Sequence, residues 1–175
     1  MLRYKILLFL TIITSITFGQ NDSRDLFISQ LFQAKGYTNL KVSSNIPSRM
    51  VSRVIRVLEN EEIIPFQVKS VEKCLLTGEE KKYLLDLLKR EAILPITFFE
   101  DKLEIASEEY KDKIVSLGEG KIHTFSEPVF LRDNTLAFFY QSTYCGSKCA
   151  DGRWSLYKLE SGVWIECLIL MMFVS

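Results

Sequence analysis

Two turn signals, Arg132-Asp133-Asn134 and Glu160-Ser161-Gly162, do most to limit what this chain can become. Asp and Asn tolerate left-handed backbone and Gly adopts it freely, so both triplets suit tight reversals. The first lies between Phe125 to Leu131 and the aromatic-rich Thr135 to Tyr144; the second lies between Trp154 to Leu159 and Val163 to Val174. Such segments favour strands. Turns this short join antiparallel strands, because a parallel pair needs a crossover of a dozen or more residues. With the Cys145 to Gly152 loop between the two hairpins, the C-terminal part is expected to be an antiparallel meander of about four strands. Residues 168 to 174 are apolar at successive positions, which places the last strand centrally or under a helix.

The N-terminal half has helical texture. Asp22 or Ser23 can cap a helix carrying Leu26, Phe27, Leu31 and Ala34, and Gly36 ends it. Leu40 and Val42 alternate with polar residues, as in a short strand. Pro47 suits a first helical turn, and Met50, Val51, Val54, Ile55 and Leu58 follow at helical spacing. Ile63 to Val71 has strand character broken at Pro65. Thr77-Gly78-Glu79-Glu80 has the form of a capping box, in which the Thr hydroxyl and the Glu carboxylate each satisfy an end amide. Tyr83, Leu84, Leu87 and Leu88 then share one face. Phe98 and Phe99 suggest a buried patch, and Glu108 to Lys113 a charged turn or short helix. The expectation is an α+β fold, with the helices packed on one face of the C-terminal sheet.

The start of the chain points to a compartment. Arg3 and Lys5 precede a run of 13 residues from Ile6 to Phe18, and small Gly19 follows. A basic start, an apolar middle and a small residue have the layout of a secretory signal, expected over residues 1–19. The run is short of the roughly 20 apolar residues that span a bilayer. The remainder, 20–175, is about 155 residues, the size of one domain. Removing Arg3 and Lys5 from 22 basic residues leaves 20 against 22 acidic ones, a formal charge of −2. Nucleic-acid binding is thereby disfavoured, since it needs many cations to neutralise phosphates. The expected location is the periplasm or the exterior.

An oxidising compartment lets cysteines pair. Cys145 and Cys149 are close in sequence, with Gly146 and Gly152 allowing a tight bend, and they are expected to bridge. Cys74 and Cys167 lie inside apolar segments and read as buried, inert thiols.

Several stretches carry a resemblance. Phe125-Ser126-Glu127-Pro128-Val129-Phe130, Ala137-Phe138-Phe139-Tyr140, Tyr144-Cys145-Gly146-Ser147-Lys148-Cys149, Leu156-Tyr157-Lys158 and Gly162-Val163-Trp164 resemble the C-terminal pattern of small exported proteins from Bacteroidota-type bacteria. Leu76 to Tyr83 is similar to theirs too. The likeness covers roughly residues 72 to 175 and implies a fold and a compartment, but no reaction. Two positions depart from it: Ala150 stands where Gly is usual after the second cysteine, and Phe173-Val174-Ser175 ends the chain where Trp-Ile-Ser is usual.

Candidate functional residues are few. Tyr140, Tyr144, Trp154 and Tyr157 form a binding strip on the sheet if exposed together, although strand aromatics more often pack as core. Cys145 and Cys149 with His123, the sole histidine, make a possible metal or thiol-redox site for a soft ion such as Cu(I). Exported copper carriers of thioredoxin-like fold use two cysteines at that spacing plus a distant His. They present the pair between a strand and a helix, whereas here both flanks read as strand. His123 itself reads as a surface or strand-edge residue. Glu61-Glu62, Glu79-Glu80 and Glu108-Glu109 read as solvated charge, because adjacent helix positions do not face each other. No nucleophile elbow, triad or phosphate loop is present in the sequence. The expected function is a non-enzymatic exported domain, without cofactor, that binds a protein or small ligand. The alternative is a thiol-redox or copper-handling protein.

Overall fold

A computed structural model describes residues 22–60, 74–97, 99, 101–146 and 149–175. The expected signal over 1–19 and the expected strand over Ile63 to Val71 lie outside the described residues. The described residues form two compact units, divided after Gly36. In the first, residues 22–35 form helix α1, and Gly36 ends it with a left-handed φ of 65°. Phe27, Leu31 and Ala34 recur along it at the spacing of one helical face.

The second unit is α+β. Its helices are α2 (Ser48–Glu59), α3 (Gly78–Lys89) and α4 (Glu108–Leu117). Its strands are β1 (Leu40–Val42), β2 (Leu103–Ile105), β3 (Ile122–Phe125), β4 (Val129–Leu131), β5 (Leu136–Tyr144), β6 (Ala150–Glu160) and β7 (Val163–Val174). Seven strands form one sheet among the described residues, not about four, and the sheet is mixed rather than purely antiparallel. The order is β2-β1-β3-β5-β6-β7, with β4 also on β5. β1 runs parallel to both β2 and β3, and all other pairs are antiparallel.

The turns behave as their residues demand. Arg132, Asp133 and Asn134 all adopt left-handed φ between β4 and β5, and Ser161 and Gly162 do so between β6 and β7. The segment read as one strand over Phe125 to Leu131 is two. β3 and β4 both lie along β5, on successive stretches of it, and the ladder breaks at 126–128, where Pro128 has no N–H to donate. Ser126 bridges the break: its N–H donates to the Tyr140 carbonyl at 3.0 Å and its Oγ accepts from the Tyr140 N–H at 2.9 Å.

The first turn of α3 carries the capping box that the sequence spells. The Glu80 N–H donates to Thr77 Oγ1 at 3.2 Å, and Glu80 Oε2 accepts from the Thr77 N–H at 2.7 Å. Glu80 is more than solvated charge, because Arg132 in the β4–β5 turn grips its carboxylate with Nε at 2.7 Å and Nη2 at 2.8 Å. Arg132 also donates to the Leu75 carbonyl at 2.6 Å. The fork ties the start of α3 to the sheet, and its hydrogen bonds hold the Glu80 carboxyl below its ordinary pKa.

The core lies between α2, α3 and one sheet face. Met50, Val54 and Leu58 of α2 and Leu84 and Leu88 of α3 pack with Leu136, Phe138, Tyr140, Trp154, Leu156 and Leu168. β7 is an edge strand rather than a central one, and the covered alternative is the one that holds: α2 packs on its apolar residues. Register shifts against β6 leave Leu170 and Cys167 as extra residues, and such bulges disrupt an otherwise long pairing edge. Gly152 sits inside β6 rather than in a bend. A Cβ there would stand 2.4 Å from the Phe173 ring, so its bare Cα is the seat of that aromatic.

Cys74 and Cys167, expected as separate thiols, pair at disulfide distance with Cα atoms 6.2 Å apart. The bridge ties the segment before α3 to β7 across 93 residues of sequence. The apolar setting of each cysteine was legible; their meeting required a tertiary contact.

Candidate binding site

The Cys145–Cys149 pair closes the turn between β5 and β6, as its spacing suggested. Its Cα atoms are 5.1 Å apart, and the Cys145 N–H donates to the Cys149 carbonyl at 2.8 Å. The last ladder pair before it is Tyr144 with Ala150, so the bridge extends the hairpin by one rung. No free cysteine remains among the described residues. Nor do three His, Cys, Asp or Glu side chains gather there as a metal cluster.

His123 is neither on the surface nor at a sheet edge. It is 7% exposed and lies in β3, which β1 covers on one side and β5 on the other. Its Nδ1 is 3.2 Å from Thr143 Oγ1, and its ring meets Tyr37 and Phe125 at centroid distances of 5.2 and 6.0 Å. Burial pushes its pKa down, Lys121 pushes the same way, and Asp151 opposes them in part. The folded state therefore binds fewer protons than the unfolded chain. Stability from this site is present above the ordinary value of 6.5 and is lost as pH falls below it. Urea midpoints taken from about pH 7.5 to about pH 5.5 are expected to decline, and His123→Gln should flatten that decline.

The aromatic residues do not make one exposed strip. Tyr140 and Trp154 are opposite each other on the helix-covered face and fully buried, with rings 4.9 Å apart. Tyr144 is half-buried against Ala106, Ile114 and Ile122. Tyr157 pairs with Ala137 and so points to the other face. Strand alternation explains the split, since Trp154 and Tyr157 differ in parity along β6.

That other face carries a polar network. Arg153 Nε meets Glu166 Oε1 at 2.9 Å, and the Tyr157 hydroxyl donates to the same oxygen at 3.1 Å. The Gln141 amide lies 3.0 Å from the Tyr157 hydroxyl, and with its oxygen turned inward it also accepts from Arg153 at 2.9 Å. Burial, then the Glu166 charge, raises the Tyr157 pKa far above its ordinary value. A neutral phenol in a satisfied network holds strands β5, β6 and β7 in register; it presents no free acid or base.

The concave feature lies on the helix side. A cleft of about 620 Å³ is bounded by the loop before α2, one face of α2, the end of α3 and the segment entering β3's neighbourhood at Leu94 and Pro95. Ser48, Val51, Ser52 and Ile55 of α2 form one wall, which is a single stripe at i, i+3, i+4 and i+7. Ile46, Leu88, Ile93 and Leu94 add apolar surface, and Ser44 and Asn45 add polar groups. Trp154 contributes from the sheet. It is fully buried, stacks on Phe138 at 4.7 Å, and its indole Nε1–H has no hydrogen-bond partner. A buried donor left unpaired costs free energy. Sequence reasoning missed this site, because its walls come from three separated stretches, 44–55, 88–95 and Trp154; the serines within the apolar pattern of α2 were the one local signal.

Comparison with family models, with curated proteins and with solved structures finds no match.

Proposed function

We propose that the chain is an exported, non-enzymatic binding domain that takes a small amphipathic ligand in the cleft beside α2. The observation that carries this reading is the cleft itself. Its volume of about 620 Å³ falls within the range typical of small-molecule sites, and its lining mixes apolar side chains with serines, Asn45, Lys89 and Glu91. Trp154, which lines it from the sheet, carries an indole N–H without a hydrogen-bond partner. Export is supported by the basic and apolar start of the sequence and by two cysteine pairs at disulfide distance. No described helix is long and apolar enough to cross a membrane. The Cys145–Cys149 bridge serves structure in this reading, because it closes a β-hairpin rather than lying beside a helix N-terminus that would activate a thiolate.

The test is a titration of dodecanol, below its solubility limit, into the protein carrying Trp164→Phe, so that Trp154 is the remaining indole. A saturable change in its emission is expected, together with a rise in melting temperature. At a hundredfold excess over Kd, linkage predicts about 2.7 kcal/mol of stabilisation. Ser52→Phe, which fills the mouth from an exposed position, should abolish both. Absence of any change in the unfilled cleft overturns the reading.

A further inference from the structure

Helix α2 breaks the electrostatic rules that a stable surface helix usually follows. Arg49, Arg53 and Arg56 are all exposed, and no acidic residue precedes Glu59 in the helix. The spacings 49 to 53 and 53 to 56 are i,i+4 and i,i+3, so like charges sit side by side and repel. Arg49 lies in the first turn, where the helix dipole already presents positive charge. Pro47 occupies the N-cap without a side-chain hydrogen bond, so nothing in the cap offsets that charge. None of the three arginines forms an ion pair among the described residues. Arg56, in the last turn, suits the negative end of the dipole, but the first-turn charge of Arg49 and the like-charge spacing have no visible local return, which is the mark of a functional surface.

The arginines adjoin the cleft. Ser52 is on its wall, and Arg49 and Arg56 are the i−3 and i+4 neighbours of Ser52 on the helix surface. Ser48, the first residue of α2, also lines the cleft. The α2 wall of the cleft thus carries the helix N-terminus and two serines, and Arg49 and Arg56, which are not among its lining residues, stand on the adjoining flank of the helix. Trp154, whose buried indole N–H has no partner, lines the cleft from the sheet. The acid among the lining residues is Glu91; the lining cation Lys89 already pairs with Glu59 at 2.7 Å.

We infer that the ligand is an aliphatic carboxylate: a tail within the apolar walls of the cleft, and a carboxyl group held at the mouth by Arg49, Arg56 and Ser52. This rests on the cleft being the binding site. The carboxylate is favoured over a neutral head because two guanidinium groups without an ion pair flank the α2 wall against one lining carboxylate, Glu91, and charge-assisted hydrogen bonds to a carboxylate are roughly twice as strong as neutral ones.

The test compares three probes of equal tail length, laurate, dodecanol and dodecyltrimethylammonium, each below its micelle concentration, by Trp154 emission in the Trp164→Phe background. Laurate is expected to bind at least about tenfold more tightly than dodecanol, with the cation weakest. Arg49→Ala with Arg56→Ala should bring laurate to the level of dodecanol; both positions are exposed, and a thermal melt confirms folding. Arg49→Lys with Arg56→Lys should restore part of the preference. Dodecanol binding as tightly as laurate overturns the carboxylate inference and leaves the cleft reading standing. No response to any probe overturns both.

Discussion

Replacing Cys74 and Cys167 together by alanine is expected to lower the melting temperature by roughly 10–15 °C. A crosslink stabilises chiefly by restricting the unfolded chain, and the restriction grows with the length of the closed loop. Here the loop spans 93 residues, for which chain entropy alone gives about 4–5 kcal/mol. The double variant leaves no orphan thiol, and Cys74 is fully buried, so a small packing loss adds to the effect. The Cys145–Cys149 bridge closes a loop with a sequence separation of only 4, and the same reasoning gives about 2 kcal/mol. Its double alanine variant should therefore melt well above the first. Differential scanning calorimetry of both variants beside the parent protein decides the matter. Equal melting temperatures for the two variants would show that the long bridge is not the principal staple.

Gly152→Ala is expected to destabilise the protein by about 2–3 kcal/mol, although the position is in a strand where alanine is otherwise the better residue. The added methyl would lie 2.4 Å from Phe173 Cε1 and 2.6 Å from Ser142 Cβ. Ser142 and Phe173 flank Gly152 on the two neighbouring strands, so the sheet closes on it from both sides. The ring can leave only by surrendering its packing against the core. Phe173→Leu should cost less than Gly152→Ala, and the pair should be sub-additive, because both act on one contact. Urea unfolding of the two single variants and the double variant measures the coupling. Full additivity would mean that the ring and the glycine do not share their energy.

Gly152 also illustrates why function and fold were unequally legible. A glycine near two cysteines suggests a bend when only neighbouring residues are considered. Its role as the seat of an aromatic follows from Phe173 arriving on the adjacent strand. His123 is a similar case. Residues 122–125 carry a strand pattern, but the strand that covers β3 on its outer side comes from residues 40–42, and only that pairing converts an edge histidine into a buried, neutral one. The binding strip failed for a simpler reason. Tyr140 and Trp154 were rightly placed on strands, but side chains alternate, and α2 and α3 cover their face.

What the sequence determined by itself is local and strong. The Thr77-Glu80 capping box starts α3, left-handed Asp133, Asn134 and Gly162 make the hairpin turns, and Cys145 lies near enough to Cys149 to bridge. These features need only neighbouring residues, whose backbone preferences and hydrogen-bonding groups act over one turn. Tertiary structure alone decided the rest: the parallel addition of β1 and β2, the Cys74–Cys167 crosslink, the Arg132–Glu80 fork and the cleft floored by Trp154. Each joins segments far apart in the chain. Periodicity tells which face of an element is apolar, and only packing decides which distant partner buries it.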